Sequence, residues 1–165
     1  MMKKLFFLPY ILALVIVSCG VAKKDVVLLN DQLVSKTNKC GNAEKLFFET
    51  CKTYNAANIQ AELKNFTVVC KTVKGEVEAI EVHKDLEKLK ASTLSLVNSY
   101  IKTEDAYKEY ARLYSIATAD YTIDDEKLAS ATAVKINNEI DMAFTEFQLT
   151  QKEFGNKYGY QISKK

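Results

Sequence analysis

Seven apolar residues, Ile59, Leu63, Phe66, Cys70, Val73, Val77 and Ile80, follow one another at alternating spacings of four and three without a miss. Side chains so spaced line one face of an α-helix, whereas a half-buried strand would alternate by two. Such a seam has to be covered by another element, because leaving it wet costs about 25 cal/mol for each Å² of apolar surface. Gly75 lies inside the stretch and is expected to weaken or bend the helix there.

Three more segments carry the same period. Upstream, Val26, Leu29, Leu33, Cys40, Ala43, Phe47 and Tyr54 share a face, with Phe48 and Cys51 beside it. Lys36 interrupts this seam, and Cys40-Gly41-Asn42 reads as a break in the helix. Asn55 to Asn58 joins the first two helices, with Asn58 as the expected N-cap of the second. After a connection at Val82 to Asp85, Asp85 is expected to cap a third helix. Its face runs Leu86, Leu89, Thr93, Leu96, Tyr100, Tyr107, Tyr110, Tyr114. Asp124 reads as the N-cap of a fourth, with Asp125 and Glu126 complementing its dipole. The fourth face is Ala129, Ala133, Ile136, Ile140, Ala143, Phe147, Phe154 and Tyr158, and Gly155 and Gly159 are expected to fray and end it. The third and fourth helices, at roughly 35 residues each, would be about 50 Å long. Short connections favour antiparallel neighbours. The expected fold is all-α: an elongated antiparallel up-down-up-down four-helix bundle. It forms one domain over residues 25–160, with a tail at 161–165.

The cysteines turn this layout into a geometric expectation. Reflection about a turn centred near residue 56 or 57 sets Cys70 opposite roughly residue 43, so Cys40 is offset by about 4.5 Å along the axis. Cys51 is offset by about 12 Å, too far for a bridge whose Cα atoms must lie within about 7 Å. A disulfide between Cys40 and Cys70 is therefore expected, with Cys51 free. The alternative is three reduced cysteines packed as small hydrophobes at helix interfaces.

The other end of the chain argues about location. Lys3 and Lys4 precede the apolar run Leu5 to Val17, interrupted only by Pro9, and Ile16-Val17-Ser18-Cys19 follows the pattern of a lipobox. A cationic head and a short apolar run suit a secretory signal peptide; a spanning helix needs about 20 apolar residues. Residues 1–18 are expected to be removed and Cys19 to carry a diacylglyceryl group through its sulfur, with residues 19–24 as a short tether. A plain signal anchor with an incidental cysteine is the competing reading. Gly20 rather than Asp after the cysteine favours the bacterial outer membrane over the inner, facing either the periplasm or the outside. Of 23 basic and 21 acidic side chains, Lys3 and Lys4 lie in the signal, leaving 21 against 21. A nearly neutral mature chain offers no basic face for nucleic acid.

Signals for chemistry are scarce. His83 is the only histidine, no Glu-x-x-His or Cys-x-x-Cys occurs, and no Gly-rich phosphate loop is present. Asp124-Asp125-Glu126, with Asp120 nearby, already has a capping role at a helix start, so a metal is not expected, nor a cofactor, nor catalysis. Tyr100, Tyr107, Tyr110 and Tyr114 form a stripe that either contacts a partner or ligand, protein or glycan, or lines the core with its hydroxyls reaching the ends. Two functions remain open. One is a non-enzymatic binding or scaffold module of the cell envelope, touching the membrane through Cys19 and an unidentified envelope or extracellular partner. The other is a carrier holding a small apolar ligand in a cavity of several hundred Å³ between the helices, near the tyrosines. The irregular first seam leaves self-association open.

The ending Gln151-Lys152-Glu153-Phe154-Gly155-Asn156-Lys157-Tyr158-Gly159 and the segment Asn30-Asp31-Gln32-Leu33-Val34 behind a lipobox are similar to those of a family of small helical surface lipoproteins of spirochaetes and related Gram-negative groups. Only the ending is specific. The resemblance implies a helical, lipid-anchored protein, and it brings no catalytic residues because the family has no established activity. The three downstream cysteines are not part of its pattern.

Overall fold

The computed structural model describes residues 21–160. The lipobox, Cys19 and the tail at 161–165 lie outside the described residues. Of those described, 84% are helical and none is in a strand. Five α-helices are present: α1 (Lys23–Cys51), α2 (Ala56–Glu78), α3 (Glu87–Lys102), α4 (Glu104–Tyr114) and α5 (Ile123–Tyr158), with a 3₁₀ turn at Lys84–Leu86. α1 packs most extensively on α2, and α5 lies against both α3 and α4. Among the described residues, no helix is long and apolar enough to cross a membrane.

The seam of α2 is buried from Ile59 to Val77, and Ile80 is half-buried just past the helix end. Opposite it, Val26, Leu29, Leu33, Cys40, Ala43 and Phe47 of α1 are buried. These join residues of α3, α4 and α5 in one hydrophobic cluster running from Val26 to Phe154. The lysine that interrupts the α1 seam turns aside: Lys36 Nζ meets a Glu76 carboxylate oxygen at 2.6 Å, shared with Lys39 at 3.3 Å, while Thr37 takes the inward position. These lysines hold the Glu76 carboxyl below the usual carboxylate range.

Several local expectations are corrected. The third helix is two helices, divided at Thr103. The buried Thr103 hydroxyl donates to the Ser99 carbonyl and the Ser99 hydroxyl to the Leu96 carbonyl at 2.7 Å. Hydroxyls bonded back to the preceding turn bend a helix, and here two act in succession. α1 does not break at Gly41; a side chain there would come to 3.7 Å from the Tyr100 hydroxyl, and the helix runs on to Cys51. α2 runs through Gly75, beside which nothing lies within 4 Å.

The caps also shift. Asn55, not Asn58, caps α2: its extended backbone lets the side-chain oxygen accept the Asn58 N–H at 3.1 Å. His83 Nδ1 accepts the Asp85 N–H at 3.3 Å, so the histidine rather than Asp85 starts the third segment. Thr122, not Asp124, caps α5 through a reciprocal box with Asp125. Gly159, at φ +67°, ends α5 in the left-handed conformation, while Gly155 is buried inside the helix.

The Cys40–Cys70 disulfide is likewise corrected: Cys40, Cys51 and Cys70 are free, buried thiols, with no pair at bonding distance. Cys40 and Cys70 do face each other across the α1–α2 seam, and the neighbouring thiol together with burial pushes the Cys70 thiol well up. Both are almost completely enclosed, and the apolar seam is satisfied by their packing as thiols. Burial pushes the Cys51 thiol up to about 12. Cys51 and Cys70 are thus shifted away from the lowered pKa of a reactive cysteine.

Candidate partner-binding surface at the distal tyrosines

The four tyrosines of the sequence stripe divide between two environments. Tyr100 and Tyr107 are buried, whereas Tyr110 and Tyr114 are half-buried at the end of α4. The break at Thr103 comes between Tyr100 and Tyr107, and both still face inward. Tyr107 packs edge-on against Phe66 (centroids 4.6 Å) and Phe47 (5.7 Å), and its hydroxyl donates to the half-buried Glu44 carboxylate. Burial raises the Glu44 carboxyl above its ordinary 4.5, opposed by the tyrosine hydrogen bond and aided by Asp141. Burial and the neighbouring carboxylate push the Tyr107 hydroxyl strongly up, and burial above all does the same to Tyr100. These two tyrosines are core residues.

Beyond them the rings continue outward. Phe48 meets Tyr110 edge-on at 5.1 Å, Tyr110 stacks on Tyr114 at 4.6 Å, and Tyr114 stacks on Tyr54 at 5.6 Å. Tyr54 is 58% exposed, which makes it the open end of the ladder. It stands at φ +54°, the only non-glycine residue with positive φ among those described. Its position follows from the chain: α1 ends at Cys51, the Tyr54 N–H bonds the Cys51 carbonyl at 3.1 Å, and Asn55 must already be extended to cap α2. The single residue between those demands takes the left-handed conformation. Burial, then the Tyr114 hydroxyl, raises the Tyr110 hydroxyl.

Charges frame this end. Glu109 holds Arg112 through paired contacts of 2.9 and 2.8 Å, and Asp125 is engaged by the Thr122 cap, which lowers its carboxyl. Asp120, Asp124 and Glu126 are exposed nearby along the chain. Among the described residues, no group of three or more His, Cys, Asp or Glu side chains could hold a metal ion. His83 lies elsewhere, on the loop after α2, 3.4 Å from the Asp85 carboxylate.

Two further spaces matter. Between Phe66, Cys70 and Tyr100 there is a void of about 10 Å³. At the other end of α1 an open groove of about 500 Å³ is lined by Val21, Leu28, Leu29, Ile80, Val82 and Leu86, with further residues of α1 and the loop after α2. Sequence reasoning missed this groove and missed Tyr54 as an exposed ring, having set it on the buried face of α1. Its place directly before the capping Asn55 was the available signal. No family model, curated protein or solved structure matches this chain.

Proposed function

We propose that this chain is the precursor of a bacterial lipoprotein, held at the outer membrane through Cys19, whose mature part is a non-enzymatic binding or scaffold module. The resemblance of its ending to small surface lipoproteins stands in the same reading. Its helices are read as an elongated bundle with neighbouring helices antiparallel, α3 and α4 together forming the third arm. Cross-contacts support that topology: Lys36 pairs with Glu76 while Phe47 stacks on Phe66, so positions advance along α1 as they recede along α2. Lys23 likewise donates to the Gly159 carbonyl, and Asn30 meets Gln151.

The partner surface is the outer half of the tyrosine ladder, Tyr54, Tyr110 and Tyr114. The observation that carries this reading is the exposed Tyr54, stacked on Tyr114 and held at positive φ. A strained, ordered aromatic with one open face is costly for stability alone and useful for recognition. α1 has 29 residues, so this surface lies about 43 Å from the lipid-proximal start of the helix, directed away from the membrane. Tyrosine rings with polar tips suit a glycan or a protein surface. The void of about 10 Å³ beside Tyr100 has space for one water at most and gives the carrier reading no support there.

The test uses the full chain in a bacterial host. Labelled palmitate should enter the protein and the protein should fractionate with the outer membrane, both lost in Cys19→Ser. Envelope proteins and glycans should then be screened for binding that Tyr54→Ala and Tyr114→Ala weaken. A protein that is unlabelled, or that binds nothing across that screen, would end the proposal.

A further inference from the structure

The groove at the start of α1 has aliphatic side chains as its largest walls. Leu29 and Leu86 are buried beneath it, Val21 and Val82 are half-buried, Ile80 closes one side, and Leu28 stands 57% exposed. No phenylalanine or tyrosine lines it, so it lacks the stacked rings of the distal end. Four polar residues, Asp25, Gln32, Glu81 and His83, complete the lining, two of them acids and none a lysine or arginine that would attract a phosphate or carboxylate. An aliphatic trough of about 500 Å³ is within the roughly 300–1,000 Å³ of small-ligand sites and suits a flexible hydrocarbon. One such chain would be within reach. Val21, itself a wall of the groove, is two residues past Cys19, so at most about 7 Å of backbone separates the acylated residue from the lining.

We propose that the basal groove is the docking site for one acyl chain carried on Cys19. The inference rests on the anchoring reading above and deepens it. A chain that remains in the bilayer gains nothing from leaving one apolar medium for another, but the groove walls do gain. With the chain seated, Leu28, Ile80 and Val82 lose their contact with water. The remaining acyl chains stay in the membrane. Docking therefore fixes the base of the bundle against the bilayer instead of letting it swing on its tether, and it sets the direction in which the distal tyrosines point.

The experiment uses the full chain purified from cells fed a fatty acid bearing a diazirine, reconstituted in vesicles of phosphatidylethanolamine and phosphatidylglycerol. Intact mass first reports whether Cys19 carries the acyl groups. On irradiation, cross-links from the Cys19 adduct should fall within Val21–Gln32 and Ile80–Leu86. Leu28→Glu, which sets a charge on an already exposed position of the groove, should reduce their yield severalfold, while Val68→Glu, at an exposed apolar position outside the groove, leaves it unchanged. Acylated Cys19 with cross-links to vesicle lipid alone overturns the docking and leaves the anchor standing. An unacylated Cys19 overturns both.

Discussion

The aromatic ladder has a sealed half and an open half, both built from stacked or edge-on phenylalanine and tyrosine rings. In the sealed half, Phe47, Phe66 and Tyr107 are each at most 2% exposed, and the one hydroxyl among them is satisfied by Glu44. In the open half, Tyr110, Tyr114 and Tyr54 are stacked as closely but end in solvent. The sealed half is where ring contacts stabilise the fold. In the open half the same contacts leave the outermost ring with one face in solvent, the face that the proposed function assigns to a partner. Ring stacking alone does not separate the two roles; enclosure does.

The comparison breaks most visibly if both halves respond alike to truncation. Tyr107→Ala should cost about 3–5 kcal/mol, the range for large aromatic truncations in a core, and leaves Glu44 without its donor. Tyr114→Ala should cost well under half of that, read from urea midpoints of the two variants. Equal losses would mean that the tip is as much core as the middle. A second probe of enclosure lies lower in the molecule, where Gln151 Nε2 donates to Asn30 Oδ1 at 2.8 Å with both side chains buried. Asn30→Leu alone should cost about 1–3 kcal/mol by stranding the partner amide, whereas Asn30→Leu with Gln151→Leu should recover most of it. A double variant no more stable than the single would show that water already reaches the pair.

How much of this was legible follows the same division. Helical period identified most of the apolar inward residues, from Val26 on α1 to Phe154 on α5, because a face is a matter of angle around an axis; it passed over Val97, Ala106, Ala111 and Leu113 on α3 and α4. Period says nothing about where along the axis the neighbours stop, so Tyr100 and Tyr114 looked equivalent. The break at Thr103 was hidden for another reason. Ser99 and Thr103 fit the seam by size, and only the direction of their hydroxyls shows that they bond back to the helix. The caps slipped by two or three residues because Asn55 and Asn58 are both good capping residues, and the backbone at Tyr54 decides between them. The disulfide expectation had the register right, since Cys40 and Cys70 do meet. Meeting is necessary for a bond and does not produce one. The groove was invisible because its walls come from a helix start and from the loop after α2, whose approach no periodicity reports.

Glu44 offers a finer measurement at the boundary of the two halves. Its carboxyl is raised by burial, so the folded state binds its proton more tightly than the unfolded chain does. The sign follows: the stability it contributes is fully present below the ordinary 4.5 and is lost as pH rises through the raised folded value. Glu76, Glu104 and Asp125 are lowered by their partners, so each contributes in the opposite sense, with stability lost as pH falls. These three are open to solvent and weigh less. Subtracting Glu44→Gln from the native chain should therefore isolate a stability difference that declines with rising pH above 4.5. A difference that is flat, or that climbs, would place the carboxylate in water and open the sealed half.

The smallest effect bears most directly on the open half. Tyr54 occupies φ +54°, where a Cβ costs about 1–2 kcal/mol relative to the right-handed region and glycine carries no such cost. Tyr54→Ala keeps that strain and loses the stack on Tyr114. Tyr54→Gly loses the stack and relieves the strain, at the expense of a more flexible unfolded chain. The glycine variant should thus be the more stable of the two by about 0.5–1 kcal/mol, against the usual order of these residues. Both should weaken equally any partner binding found by the screen, because both remove the exposed ring. If the glycine variant proved the less stable, the tyrosine would not be held in the left-handed region. The tip would then be a mobile side chain rather than a surface kept in place at a cost to the fold.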